Sequence, residues 1–110
     1  APLYKDIREC DTIAIFSPVY WWQVSAQAKL FIDRLYALQK EDLEGKKLVV
    51  VVNGEEKDGD KEYQVLNSAF LMMADYLKMD LRFLGLGTDG EESWKDKEKW
   101  VEEFLQSTLN

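Results

Sequence analysis

The chain has 110 residues, 46% of them hydrophobic, which is enough for one domain with a single core. Lys and Arg number 14 against 21 Asp and Glu, and the resulting formal charge of −7 disfavours nucleic acid and anionic lipid surfaces as partners. The chain has no histidine and one cysteine, which excludes Ser-His-Asp and Cys-His catalysis, histidine metal sites and an internal disulfide.

The first predicted elements are the end of a helix and a strand. Leu3, Ile7 and Cys10 are spaced to share one helix face. A strand then begins at Thr12 and ends at Phe16. Because this strand is apolar on both faces, it indicates a sheet that is covered on both sides.

A helix and a buried strand come next. Apolar residues recur at helical spacing over residues 24–38 and predict a helix there. The β-branched run over residues 47–52 is typical of a buried central strand, and it ends at the turn pair formed by Asn53 and Gly54. A second strand end with a glycine is therefore expected beside the first.

Residues 55–62 form an acidic segment whose spacing does not match a calcium loop, so a solvated loop is expected. A long helix follows, and Met72 and Met73 are interpreted as core filler within it. Its predicted buried stripe consists of Tyr63, Leu66, Phe70, Met73, Ala74 and Leu77.

The last predicted elements are a strand and a helix. The strand covers residues 81–87, and Ser93 with Asp96 resembles a capping box that opens the final helix. That helix has a predicted buried stripe of Trp100, Val101, Phe104 and Leu105. Alternating strands and helices predict an α/β fold, an open parallel sheet with helices on both faces, in one domain over residues 1–110.

The segment after the first strand is a candidate binding site. Open α/β sheets bind ligands at the carboxyl ends of their strands, where residues 17–23 and 53–56 would form two walls of one crevice. Tyr20, Trp21 and Trp22 suit a planar, partly apolar ligand such as a flavin. In the alternative interpretation Pro18 only shapes a turn, and the aromatic side chains pack in the core or an interface.

The run SPVYWWQVSAQAKLFIDR, residues 17–34, resembles the signature of the flavodoxin-like NAD(P)H-dependent FMN reductases and the related quinone reductases and iron-sulfur flavoproteins. The cysteine cluster of the iron-sulfur members is absent, so the simple flavin reductases are the better match. The resemblance implies that FMN is bound by Ser17, Pro18, Val19, Tyr20, Trp21, Trp22, Asn53 and Gly54. No residue is assigned as catalytic and none as a metal ligand.

The resemblance also implies a flavodoxin-like sheet that lacks the family's first two strands and its phosphate-binding loop. The isolated chain is then expected to hold FMN weakly, because about three charge-assisted hydrogen bonds to the phosphate, near 1.5 kcal/mol each, would be lost. The strand from Thr12 to Phe16 would have an unpaired apolar edge. We expect this edge to pair with the missing half or with another copy in a homo-oligomer.

Two functions follow from these expectations. In the first, the chain supplies the flavin-ring-binding portion of an FMN-dependent oxidoreductase that uses NAD(P)H as co-substrate and a small-molecule electron acceptor. In the second, it is a non-catalytic, truncated flavodoxin-like module that acts in oligomerisation or partner binding. No apolar run approaches the roughly 20 residues that span a bilayer, and no signal peptide is recognised, so a cytoplasmic protein without a membrane partner is expected.

Overall fold

The structure, a computed structural model, describes residues 2–38, 40–54, 61–87 and 94–109. The acidic segment predicted as a solvated loop lies mostly outside these ranges, as does Ser93 of the predicted capping box. The elements are α1 (Pro2–Glu9), β1 (Thr12–Tyr20), β2 (Gln23–Val24), α2 (Ala26–Leu35), α3 (Lys40–Leu43), β3 (Lys47–Gly54), α4 (Lys61–Leu77), β4 (Asp80–Gly87) and α5 (Trp94–Leu109).

The four strands form one sheet in the order β2-β1-β3-β4. β3 is central and pairs in parallel with both β1 and β4, whereas the two-residue β2 is antiparallel to β1. The main core lies on one face, where side chains of β1 and β3 pack with α1, α2 and α4. On the other face α5 packs against β4. The predicted open α/β sheet with helices on both faces is therefore confirmed.

The central strand β3 is covered on both sides, as its apolar sequence predicts, and all five residues from Leu48 to Val52 are buried. β1 differs. Ile13 and Ile15 are buried in the core, but Ala14 and Phe16 on the opposite face are exposed. In the described part of the chain, the second face of the sheet is therefore covered over β3 and β4 but not over β1, because α5 lies over β4.

The region around β1 also corrects two predicted boundaries. β1 does not end at Phe16 but continues to Tyr20, because its pairing with β3 extends to Pro18. The following helix begins at Ala26 rather than at Val24, because Val24 pairs with Val19 in β2.

α3 was not predicted, and its Leu43 is fully buried. In α4 the predicted stripe is confirmed, with Tyr63, Leu66, Phe70 and Ala74 buried. Met72 is nevertheless 75% exposed, so the interpretation of this residue as core filler is wrong. Glu62, expected in a solvated loop, is buried in the first turn of α4.

Two lysines fix the direction of α5 across the sheet. The Lys97 ammonium donates a hydrogen bond to the carbonyl of Gly87 at the carboxyl end of β4. The Lys47 ammonium, at the start of β3, donates to the carbonyl of Thr108 at 2.6 Å in the last turn of α5. α5 therefore runs antiparallel to β4. Among the described helices, none is long and apolar enough to cross a membrane.

Candidate functional site

The carboxyl ends of the three long strands lie in a row along one edge of the sheet. Pro18 is the register partner of Asn53, and Gly54 is the register partner of Gly87. Register partners in a sheet lie about 4.8 Å apart with side chains on the same face. The structure therefore brings the two predicted groups of site residues together, as the parallel sheet requires.

The last residues of β1 turn back in a tight hairpin, which we call the aromatic hairpin (residues 19–24). Val19 pairs with Val24 and Tyr20 with Gln23, so that Trp21 and Trp22 form the two-residue turn. Both have positive φ, 50° and 60°, the combination of a type I′ turn. Asn and Gly are the usual residues there, and the left-handed conformation costs other residues about 1–2 kcal/mol each.

The turn leaves both indole rings in solvent. Trp21 is 87% exposed and Trp22 is 53% exposed, and their ring centroids lie 6.3 Å apart with the planes tilted by 52°. Tyr20 is also exposed. Apolar rings held outward by an unfavourable backbone are a feature of functional sites, where strain is retained for binding.

A chain of hydroxyl groups anchors the base of this hairpin. The Ser17 hydroxyl accepts a hydrogen bond from the Ser25 backbone N–H at 2.8 Å and donates one to the Pro18 carbonyl at 2.8 Å. The Ser25 hydroxyl in turn accepts from the N–H of Ala28 and caps α2. Ser17 is only 2% exposed, so its hydroxyl holds the hairpin against the start of α2.

The other predicted site residues differ in their exposure. Pro18 is half-buried and shares a face with the exposed side chain of Asn53, while Val19 is half-buried against the core. Gly54 is buried, and a Cβ atom built on it would lie 2.7 Å from Glu62 Oε2. A side chain at this position would therefore displace the buried carboxylate of Glu62.

Sequence reasoning missed two residues at this edge. Glu62 lies against Gly54, and Lys97 is buried beneath the end of β4 with its ammonium on the Gly87 carbonyl. The sequence could have indicated Glu62, because it is an acidic residue in the first turn of a helix that follows a glycine turn. Lys97 gave no signal, because it lies in a run of alternating charges.

Two further observations bear on what this edge can bind. Within residues 2–38, 40–54, 61–87 and 94–109, no group of three acidic or cysteine side chains could hold a metal ion. A groove of about 730 Å³ lies elsewhere, between α2 and α4. The strand ends, rather than this groove, are the candidate ligand site, because they combine exposed rings with the exposed Asn53 amide at the edge where open α/β sheets bind ligands.

Comparisons with known proteins agree with this architecture. The sequence profile of the NADPH-dependent FMN reductases matches residues 1–83, so the chain belongs to this family of flavin-dependent oxidoreductases. The resemblance carried by residues 17–34 is thereby confirmed. No curated protein matches the chain significantly.

Several solved structures share the fold. An NADPH-quinone reductase from P. pentosaceus superposes with a TM-score of 0.76 at 19% identity, over 99% of this chain and 73% of that one. The Trp repressor binding protein of Bacillus subtilis gives 0.72 at 22% identity, over 99% and 74%. The general stress protein 14 of Treponema denticola, solved in complex with FMN, gives 0.67 at 18% identity, over 98% and 68%.

Proposed function

We propose that the chain binds the ring system of FMN at the carboxyl edge of its sheet and acts as an NAD(P)H-dependent oxidoreductase of the flavin or quinone reductase type. The observation that carries the proposal is the aromatic hairpin, in which two tryptophans occupy an unfavourable turn and expose their rings at the strand end whose Pro18 is the register partner of Asn53. Bound FMN would supply the two-electron chemistry between NAD(P)H and a small-molecule acceptor.

The residues at this edge fit the two kinds of surface that a flavin ring presents. Tyr20, Trp21 and Trp22 offer apolar faces for stacking. The exposed Asn53 amide can hydrogen-bond the polar edge of the ring. Gly54, buried next to it against Glu62, stays in the site as the resemblance implies. Pro18 and Val19 shape the base of the crevice. Ser17 contributes by holding the hairpin, since its hydroxyl is already engaged internally.

No side chain in this proposal acts as a nucleophile or a general base. The protein binds and orients the ring, excludes water from one of its faces and leaves the other accessible to substrates. The sequence has no histidine, which is no obstacle to such a mechanism.

Flavin titration tests the proposal. We expect riboflavin fluorescence to be quenched by the purified chain, because riboflavin carries the same ring as FMN without the phosphate. Trp21→Ala should weaken binding about tenfold, the usual effect of removing one stacking side chain. Leu30→Ala, which also removes an exposed apolar side chain but on α2, is the matched control and should leave the affinity unchanged.

The competing proposal is the non-catalytic module, which is favoured by the exposed Phe16 face and the free outer edge of β1 in the described structure. A chain that quenches neither riboflavin nor FMN and catalyses no NAD(P)H oxidation with a quinone would support the module. If Trp21→Ala quenches riboflavin as strongly as the wild type, the chain binds flavin but Trp21 is not part of the site.

A further inference from the structure

The first turn of α4 packs very close to the carboxyl ends of β3 and β4. A Cβ atom built on Gly54 would lie 2.7 Å from Glu62 Oε2, and one built on Gly85 would lie 2.8 Å from Cγ of Tyr63. Both distances are shorter than Cβ atoms keep from other heavy atoms in proteins. Two consecutive residues of the helix therefore occupy the space that two strand residues without side chains leave.

Glu62 places its carboxyl group directly against the end of β3. The carboxyl carbon and the second oxygen lie 3.1 and 3.2 Å from the same Cβ position, so the whole group lies against Gly54. Glu62 is only 9% exposed. Gly54 follows Asn53, whose exposed amide belongs to the candidate ligand site. A buried acidic group therefore lies behind the strand end at which the flavin ring is proposed to bind.

Two lysines bring positive charge to the same region. Lys61 precedes Glu62 and is exposed, so water and salt screen its charge. Lys97 is buried, and its ammonium donates a hydrogen bond to the carbonyl of Gly87, the register partner of Gly54. This ammonium is bound to β4, which is separated from β1 and the aromatic hairpin by β3. The carboxyl group of Glu62 instead contacts β3 itself, the direct neighbour of β1.

We infer that Glu62 is ionised and that its charge weakens the binding of reduced flavin relative to oxidised flavin at this edge. The inference rests on the proposed function. At neutral pH the reduced flavin ring carries a negative charge, whereas the oxidised ring is neutral. A carboxylate fixed behind Gly54, in surroundings with little water, repels the reduced ring only. Such a site makes the reduced flavin a stronger donor of electrons to the acceptor.

The expected effect of this charge is a change of about tenfold in the ratio of the two affinities. Two unit charges about 10 Å apart, at an effective dielectric constant of about 20, change a binding constant by roughly this factor. For a two-electron couple, a tenfold change in the ratio corresponds to about 30 mV in the midpoint potential. Lys97 is present in the wild type and in every variant of Glu62, so the difference between them isolates the carboxylate.

A redox titration of riboflavin bound to the purified chain tests the inference. Glu62→Gln and Glu62→Ala both lack the charge, so each should raise the midpoint potential of the bound flavin by about 30 mV. Glu62→Asp keeps the charge and should change the affinity ratio by less than about threefold. The matched control is Asp75→Asn, which removes an exposed carboxylate about 20 Å further along α4, beyond the Debye length of about 10 Å. It should leave the potential unchanged.

The outcomes separate this inference from the proposed function. A wild-type chain that does not quench riboflavin would overturn the proposed function and this inference with it. If the wild type binds riboflavin, an unchanged potential in the two neutral variants would overturn the inference alone. An equal shift in Glu62→Asp, which would reflect packing, or in Asp75→Asn, which would reflect net charge, would also overturn it. Circular dichroism identifies the folded variants, and one folded neutral variant suffices. If neither folds, the carboxylate serves the fold and the inference is wrong.

Discussion

The hydroxyl of Ser17 joins the end of β1 to the start of α2. It accepts a hydrogen bond from the Ser25 N–H and donates one to the Pro18 carbonyl, and the Ser17 side chain itself is buried. The resemblance implies that Ser17 contacts the cofactor, and that role stays a prediction. The geometry shows how the residue can also matter indirectly, by holding two tryptophans in a conformation that they would not adopt alone.

Ser17→Ala should therefore lower the free energy of unfolding by about 1–3 kcal/mol, because the buried Ser25 N–H loses its acceptor. Urea unfolding followed by circular dichroism measures this effect. Ser68→Ala, on the exposed side of α4, is the control and should change stability by less than about 0.5 kcal/mol. A Ser17→Ala variant as stable as this control would mean that the hydroxyl does not anchor the hairpin.

At the scale of the elements, the aromatic hairpin shows a conflict between stability and binding. A type I′ turn built from two tryptophans is unfavourable for the backbone and exposes large rings to water. Neither the left-handed backbone of the turn nor the exposure of its rings stabilises the fold. The turn is thus explained only if the rings have a ligand or a partner, which is the basis of the proposed site.

Replacing the turn by its favoured residues, W21N together with W22G, should raise the free energy of unfolding by about 2 kcal/mol. The same variant should lose most of its affinity for riboflavin, since both stacking rings are gone. Urea unfolding and fluorescence titration measure the two effects on one preparation. Trp21→Phe keeps an aromatic ring and the left-handed backbone at position 21, so its stability and its affinity for riboflavin should resemble those of the wild type. A less stable double variant would show that the rings support the fold.

At the scale of the whole molecule, the outer edge of β1 lacks backbone hydrogen-bond partners over most of its length in the described sheet. Only Val19 and Tyr20 pair on that side, with β2, whereas residues 12–18 have no partner there among the described residues. Exposed strand edges are templates for pairing. We therefore keep the prediction that this edge is covered, by further chain or by another copy.

Hydrogen exchange tests this prediction. If the edge is paired, the amides of residues 12–16 that face away from β3 should exchange as slowly as those that face it. Met72→Glu should leave their protection unchanged, because Met72 lies on the exposed face of α4 and not at the edge of the sheet. Exchange of these amides at the rate of exposed loops would contradict pairing of the edge.

The sequence by itself determined the long strands and helices, the parallel sheet and the edge at which the site is proposed. These follow from periodicity within short segments, such as the β-branched run of β3 and the helical spacing of Tyr63, Leu66 and Phe70, because neighbours along the chain decide local structure. The sequence points to this edge for the proposed site because parallel strands all end at the same edge. The cofactor was implied by the resemblance of residues 17–34, which the family match confirms.

Only the tertiary structure decided which side chains face the ligand edge, the core or solvent. Ser17 is buried because Ser25 folds back onto it, Glu62 is buried because Gly54 leaves room for it, and Met72 is exposed because the core stripe of α4 lies on its other side. Each of these depends on a contact between segments or on the orientation of a whole helix. Local spacing carries no information on long-range pairings such as the bond from Lys47 to the carbonyl of Thr108, 61 residues further along the chain.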